Sequence, residues 1–294
     1  MSRDPWRTVP AAAQDDPLAL AEHLDIEVWL PGAERSSPRR HAGRIVRESL
    51  RGRLPVRYAT DSWRVPFDRL LAESLRPGIR ILDVGAGSLP VVPVEDRPPG
   101  VEYVGLDVEE DELLKAPPGS YDDHRVADIT VLQPDLVGQF DLVLSWLTME
   151  HVENVPLALH NLGRYQRPGG RFLGYLAGSW SIGSVLNRVV PHSAAKLLMH
   201  RLLGRQPETV FRAHYDHCTY DELTTVGETA WGRATVVPVF TAGWYFSFSP
   251  ALRAAYLLYE EWAASGAHPN LASYYILDAV AAEDPDDPPA SGRA

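Results

Sequence analysis

One short run constrains the fold of this chain more than any other: Arg80-Ile81-Leu82-Asp83-Val84-Gly85-Ala86-Gly87-Ser88. An apolar run that stops at a glycine turn predicts a parallel strand, buried on both faces, feeding a helix. The two glycines let the backbone bend tightly and let a ligand approach it closely. This is where a nucleotide-like cofactor would sit. A Gly-x-Gly turn alone does not say which one, so the strands that follow have to decide.

Downstream the pattern recurs. A second strand, Val101 to Leu106, ends at Asp107; a third, Arg125 to Val126, ends at Asp128; a fourth, Phe140 to Leu144, ends at Ser145-Trp146. A helix starting near Pro156 carries Leu157, Leu162 and Tyr165, is stopped by Pro168-Gly169-Gly170, and leads to a fifth strand from Arg171 to Leu176. Such alternation predicts an α/β, Rossmann-like, doubly wound and mostly parallel sheet. After the fifth strand the rhythm changes. Residues 178 to 215 read as helical, and Thr219, with Glu222 three positions on, reads as the cap of another helix. A sixth strand at Ala234–Phe240, a helix at Ala251–Trp262 and a final strand at Ala272–Ala281 complete seven strands. Ahead of the core, Ile45, Leu50 and Leu54, then Phe67, Leu70 and Leu71, mark cap helices. The expected organisation is an N-terminal arm and helical cap (1–75), a core (76–282) with a helical lid inserted after strand five at about 178–225, and a disordered tail (283–294).

Composition narrows the partners. The 294 residues carry a formal net charge of −11, which repels a phosphate backbone and argues against nucleic acid. The basic run Arg35, Arg39, Arg40, Arg44, Arg47, Arg51 and Arg53 reads as a solvated helix face. One cysteine, Cys218, rules out an internal disulfide. No apolar signal core opens the chain and no apolar run reaches the length of a membrane span, so the expected location is cytoplasmic, with no membrane partner.

In an open parallel sheet, ligands bind beyond the carboxyl ends of the strands, where strand order switches. One acid at such a place is an ordinary helix cap or turn residue. Asp83, Asp107, Asp128 and Ser145 at four consecutive strand ends are harder to attribute to capping. The segments Leu82–Gly87, Tyr103–Asp107, Val126–Ile129, Phe140–Ser145, Met149-Glu150-His151-Val152 and Arg167–Phe172 together resemble the class I S-adenosylmethionine-dependent methyltransferases, in particular the bacterial small-molecule group. The resemblance covers residues 57 to 282 and implies S-adenosylmethionine as cofactor and S-adenosylhomocysteine as product. It places the Gly85-Ala86-Gly87 backbone along the methionine part, Asp83 toward the ammonium, Asp107 with Val108 at the ribose, Asp128 and Ile129 at the adenine, and Ser145-Trp146 beside them. Tyr58, Trp63 and Arg64 resemble the segment that closes over the cofactor carboxylate. A sulfonium and an ammonium suit an acidic pocket, whereas a pyrophosphate does not, which sets NAD aside. The family's third glycine is replaced by Leu89, followed by Pro90, which alters the first helix.

Methyl transfer asks chiefly for proximity and orientation, because the sulfonium is already a good leaving group. A hydroxyl acceptor adds the need for a base, for which His151, in the family's Glu-His-Val position, and His214 and His217, at the lid boundary, are the candidates. No metal site is expected. Trp146, Tyr175, Trp180, Trp244 and Tyr245 are candidates to line an apolar pocket for a small-molecule acceptor. Methylation of oxygen or nitrogen in secondary metabolism is the leading reading. A cyclase-type enzyme that keeps the cofactor structurally, or a non-catalytic binding partner, are the alternatives.

Overall fold

The computed structural model describes residues 16–29, 38–60, 64–182, 184–185, 213–265 and 268–282. The interior of the expected lid, Trp63 and the expected tail lie outside them. Two short strands, β1 (Val28–Trp29) and β2 (Leu54–Pro55), pair in parallel near the N-terminus. Seven more form one sheet: β3 (Arg80–Val84), β4 (Glu102–Asp107), β5 (Asp123–Val126), β6 (Phe140–Trp146), β7 (Gln166–Ala177), β8 (Ala234–Val239) and β9 (Tyr274–Val280). Their order is β5-β4-β3-β6-β7-β9-β8. The first five run parallel, and β9 lies antiparallel between β7 and β8. The chain moves outward from β3 through β4 and β5, then returns to β6 on the other side, so strand order switches between β3 and β6.

Burial explains the sequence pattern. Ile81 to Val84 are all buried, as a central strand covered on both faces requires, whereas the edge strand β5, Asp-His-Arg-Val, leaves His124 and Val126 exposed. Alternate residues feed two cores. Leu82, Val84, Val143 and Phe172 meet the helices α6 (Val155–Tyr165) and α7 (Tyr220–Trp231). Ile81, Leu144, Trp146 and Tyr175 share the other core with Phe67 and Leu71. Those two belong to α4 (Val65–Ser74), the last of the cap helices α1 (Pro17–His23), α2 (Pro38–Leu50), α3 (Arg57–Thr60) and α4. A short α5 (Glu110–Leu114) follows β4, and α8 (Pro250–Ala264) follows β8.

Local chemistry sets the helix ends. Asn154 accepts from the Leu157 amide at 3.0 Å to start α6, and Thr219 caps α7, which closes on Gly232 in the left-handed conformation (φ 72°). Two expectations need correction. Pro168-Gly169-Gly170 does not stop α6: the helix ends at Tyr165, and the triplet is a bulge inside β7, where the register jumps from Phe140↔Gln166 to Leu142↔Arg171. And no helix follows β3. Between Gly85 and Val101 the chain makes turns, bends and one 3-10 turn at Val94–Asp96, because Pro90, Pro93, Pro98 and Pro99 remove the amides a helix ladder would need.

The cap packs onto α8. Arg57 pairs with Glu260 (2.9 Å) and Glu261, and Arg253 donates to the Ser49 carbonyl at 2.8 Å. The basic run is partly absorbed here. Arg44 lies over the Trp29 ring at 4.7 Å, while Arg51 and Arg53 meet Glu48 at 3.3 and 3.1 Å.

Candidate functional site

The glycine turn sits at the carboxyl end of β3, on the switch in strand order. Gly85 (φ 68°) and Gly87 (φ 50°) both need the left-handed region, and the Gly85 and Ala86 amides donate to the Leu106 carbonyl at 2.8 and 3.1 Å. A Cβ on Gly85 would run into the Thr148 side chain, so glycine is required there by packing as well. Gly87 faces open space instead: an added Cβ would find only Asp107 Oδ2, 4.0 Å away. Tyr121 steadies the turn, its hydroxyl within bonding distance of the Ala86 and Gly87 carbonyls (2.9 and 3.1 Å). Its ring lies so close to Gly105 that a Cβ there would approach to 2.8 Å.

Beyond the turn, two opposite charges grip one residue. Arg64 donates from Nη2 to the Val91 carbonyl at 2.8 Å, and the Val91 amide donates to Asp83 Oδ2 at 2.8 Å. The Tyr103 hydroxyl donates to the same Asp83 oxygen at 2.7 Å. Arg64 is also tied to Asp68 at 3.0 Å and lies 4.9 Å over the Trp146 ring. Both side chains are buried, yet Arg64 Nη1 and Asp83 Oδ1 have no hydrogen-bond partner. Buried polar atoms of this kind are few in folded proteins and mark a place for a ligand or water. Burial pushes the Asp83 carboxyl up to about 6, with the Val91 amide, the Tyr103 hydroxyl and Arg97 opposing the rise.

Asp107 closes β4 with both oxygens engaged, Oδ2 by the Gly87 amide and Oδ1 by the Glu109 amide, each at 3.0 Å. Each oxygen keeps a second lone pair. Val108 beside it is exposed. Asp128 is exposed, and its Oδ1 accepts from the Thr130 amide (2.8 Å) and hydroxyl (2.7 Å), which makes it a turn residue that still has Oδ2 to offer. Ile129 is buried, its carbonyl held by Asn161 at 2.9 Å. Ser145 is fully buried with its Oγ unpartnered. Trp146 is built into a stack, with Tyr175 parallel at 4.4 Å and Phe67 edge-on at 4.8 Å. Tyr58 departs from expectation. Its hydroxyl donates to Glu260 and accepts from the Gly243 amide at 2.7 Å, so it serves the docking of the cap.

The three candidate histidines meet around one turn. Met149–His151 forms a 3-10 turn after β6, and the Glu150 carbonyl accepts from the amides of His214 (2.8 Å) and Tyr215 (3.0 Å). His217 pairs through Nδ1 with Asp216 at 2.8 Å, and Asp216 in turn accepts from the Val155 amide at 2.9 Å. Tyr215 (φ 54°) and His217 (φ 48°) both hold left-handed backbone, an uncommon state for residues with side chains. Tyr103, Tyr121 and Glu150 were not singled out from sequence. Gly105, a glycine inside a strand, was the available signal for a close neighbour such as Tyr121.

Comparison with known proteins bears on the family and the fold. A family model described as a methyltransferase domain matches residues 56–226, and the chain belongs to that family. Its fold is the Rossmann-like fold of the class I methyltransferases. None of the curated proteins matches the chain. Among solved structures, a chain of the Haloferax volcanii complex between the Trm112 methyltransferase activator and a methyltransferase is 14% identical, with a TM-score of 0.50 over 73% of this chain and 87% of that one. Phosphoethanolamine N-methyltransferase 2 of Haemonchus contortus, in complex with S-adenosyl-L-methionine, is 14% identical, with a TM-score of 0.46 over 74% of this chain. The match spans about half, 52%, of that enzyme's length. The [4+2]-cyclase SpnF is 15% identical, with a TM-score of 0.47 over 87% of this chain and 99% of that one. Likeness at such identities shows the fold alone.

The residues present fit the cofactor. Its methionine end is an α-amino acid, and the unpartnered Arg64 Nη1 and Asp83 Oδ1 offer a cation and an acid on either side of Val91. The open space at Gly87 lies beside Asp107. Among the described residues no group of three His, Cys, Asp or Glu side chains could hold a metal, and no helix is long and apolar enough to cross a membrane.

Proposed function

We propose that this chain transfers the methyl group of S-adenosylmethionine to oxygen or nitrogen of a small-molecule acceptor, as a cytoplasmic enzyme of secondary metabolism. The cofactor supplies an electrophilic methyl group when bound. The observation that carries the site is the shared grip on Val91: Arg64 and Asp83 are fixed by one peptide and each keeps one buried atom free of partners. In this reading Arg64 holds a carboxylate, Asp83 an ammonium and Asp107 the ribose hydroxyls. The Gly85-Ala86-Gly87 backbone lies along the ligand, Val108 stands with Asp107 at the ribose, Ile129 borders the adenine, and Asp128 Oδ2 receives its amine. Ser145 and Trp146 stand at the end of β6, between cofactor and acceptor. The half-buried imidazoles of His151, His214 and His217 lie on the acceptor side, where a proton released on methylation must leave.

Calorimetric titration with S-adenosylhomocysteine, on protein freed of copurified ligand, tests the assignment. Asp107→Ala should weaken binding by about 1–3 kcal/mol, roughly five- to 150-fold, through loss of charge-assisted hydrogen bonds. An unchanged dissociation constant would remove Asp107 from the site, and no binding to the parent protein would overturn the reading as a whole.

A further inference from the structure

A second set of unpartnered polar atoms lies where β6 ends beside the last residues of β7, across the Trp146 ring from Arg64. Glu150 is 4% exposed and its Oε2 has no hydrogen-bond partner; Tyr175 is 1% exposed and its hydroxyl has none. The two are neighbours. Trp146 and Tyr175 are register partners, and the Leu147 amide donates to the Tyr175 carbonyl at 2.7 Å, which brings the Met149–His151 turn over the end of β7. The Ala177 amide, two residues beyond Tyr175 on β7, favours the charged form of Glu150, and the Glu150 charge in turn acts on the Tyr175 hydroxyl. A buried polar group without a partner is destabilising, and a ligand carrying the matching group would relieve that.

The surroundings say what kind of ligand. The Tyr175 ring is clamped between Trp146 at 4.4 Å and Tyr274 at 5.2 Å, both nearly parallel to it. Tyr274 and Tyr245 place their hydroxyl oxygens 3.3 Å apart, and Tyr245 stacks on Trp244 at 4.2 Å. Aromatic rings packed on one another therefore surround polar atoms that are one acid and a group of phenol hydroxyls. Two further segments meet here: Ser179 bonds the Cys218 and Tyr215 carbonyls at 2.7 and 3.2 Å, and the His214 and Tyr215 amides donate to the Glu150 carbonyl.

We propose that Glu150 and Tyr175 form the acceptor-anchoring pair and that the acceptor presents a hydroxyl on an aromatic ring. This rests on the methyltransferase reading above and adds the atom that is methylated. A hydroxyl satisfies both groups at once, donating its proton to Glu150 and accepting from Tyr175. Glu150 takes that proton as the acceptor oxygen bonds to the methyl carbon and the carbon–sulfur bond breaks, its electron pair leaving on sulfur. The proton then passes to water along the side where His151 and His214 stand. Burial, opposed by His151, raises the Glu150 carboxyl above its ordinary range, which suits a group that must accept a proton and release it.

Phenol and toluene are matched probes, alike in shape and differing in the hydroxyl. With the protein saturated by S-adenosylhomocysteine, ligand-observed NMR titration should show phenol bound at least tenfold more tightly than toluene. Tyr175→Phe and Glu150→Gln should each remove most of that preference while leaving S-adenosylhomocysteine affinity within about twofold. Should Glu150→Gln fail to fold, Tyr175→Phe alone decides the matter. If the parent protein does not separate phenol from toluene, or if a folded variant keeps the full preference, the pair holds only water and the inference falls. A parent protein that fails to bind S-adenosylhomocysteine at all overturns the cofactor site instead, so the two failures are distinguishable.

Discussion

Asp83 sits where its charge is least welcome. It is fully buried, and its carboxyl is pushed up to about 6 from an ordinary 3.8. The native state therefore holds this proton more tightly than the unfolded chain does. Across the window from pH 4 to pH 6 the native form keeps a proton that the unfolded form has lost, so this group's contribution to stability falls as pH rises. Asp83→Asn removes that dependence. The stability of Asp83→Asn minus that of the parent should climb by about 1.4 kcal/mol per pH unit between pH 4 and 6, then level off. Denaturant titrations at four pH values would measure it, and a flat difference would mean the carboxylate is not desolvated. Asp83, Asp107 and Asp128 were legible in the sequence because position alone, an acid where a β-run stops, marks them. Their partners were not. Which atoms of Arg64 and Asp83 remain unpartnered depends on Val91, twenty-seven residues from one and eight from the other. The same holds for Tyr58, whose hydroxyl is claimed by a glutamate more than two hundred residues away.

Among elements, strands were the most legible, since a buried parallel strand writes its whole length in apolar residues. The boundaries of β3, β4, β6, β8 and β9 fall within about two residues of those read from the sequence, and β7 extends further only because a bulge can absorb Pro168. The helix expected after β3 was the main misreading. The glycine turn implied it, while the prolines downstream forbade it. What replaces the helix is a loop pinned by side chains. Arg97 donates to the Val92 carbonyl through Nε and Nη2, both at 3.0 Å, and to the Ser120 carbonyl at 2.7 Å, with its guanidinium 3.7 Å over the Tyr103 ring. Arg97→Ala should cost about 2–3 kcal/mol of stability, because two carbonyls lose a charged donor at once. Arg97→Lys should recover little, since a single ammonium cannot span both carbonyls and stack as a planar fork does. Thermal unfolding of the two variants checks this, and full rescue by lysine would show that charge alone holds the loop.

At the scale of the whole molecule, the cap and the far end of the chain make one unit. Glu260 on α8 is 1% exposed and accepts from three donors: Arg57 at 2.9 Å, the Ala242 amide at 2.7 Å, and the Tyr58 hydroxyl. The sequence marked the cap helices and the final helix separately, because nothing in either segment's own periodicity names the other as its partner. Glu260→Ala would leave Arg57 with Glu261 as its one remaining acidic partner among the described residues and the Ala242 amide without an acceptor. Breaking a buried ion pair in this way costs about 3–5 kcal/mol. The loss should appear first in the cap: hydrogen exchange in residues 38–60 should accelerate ahead of the sheet, and uniform acceleration would mean that cap and core unfold together. The cap also carries Arg64, four residues beyond α3 and immediately before α4. If Arg64 holds the cofactor carboxylate, cap docking and cofactor binding must favour each other by the same free energy. Saturating S-adenosylhomocysteine should then slow exchange in residues 38–60 of the parent protein, although those amides lie outside the proposed cofactor site. Unchanged exchange there, with binding confirmed by calorimetry, would separate the cap from the cofactor and leave Arg64 a purely structural cation.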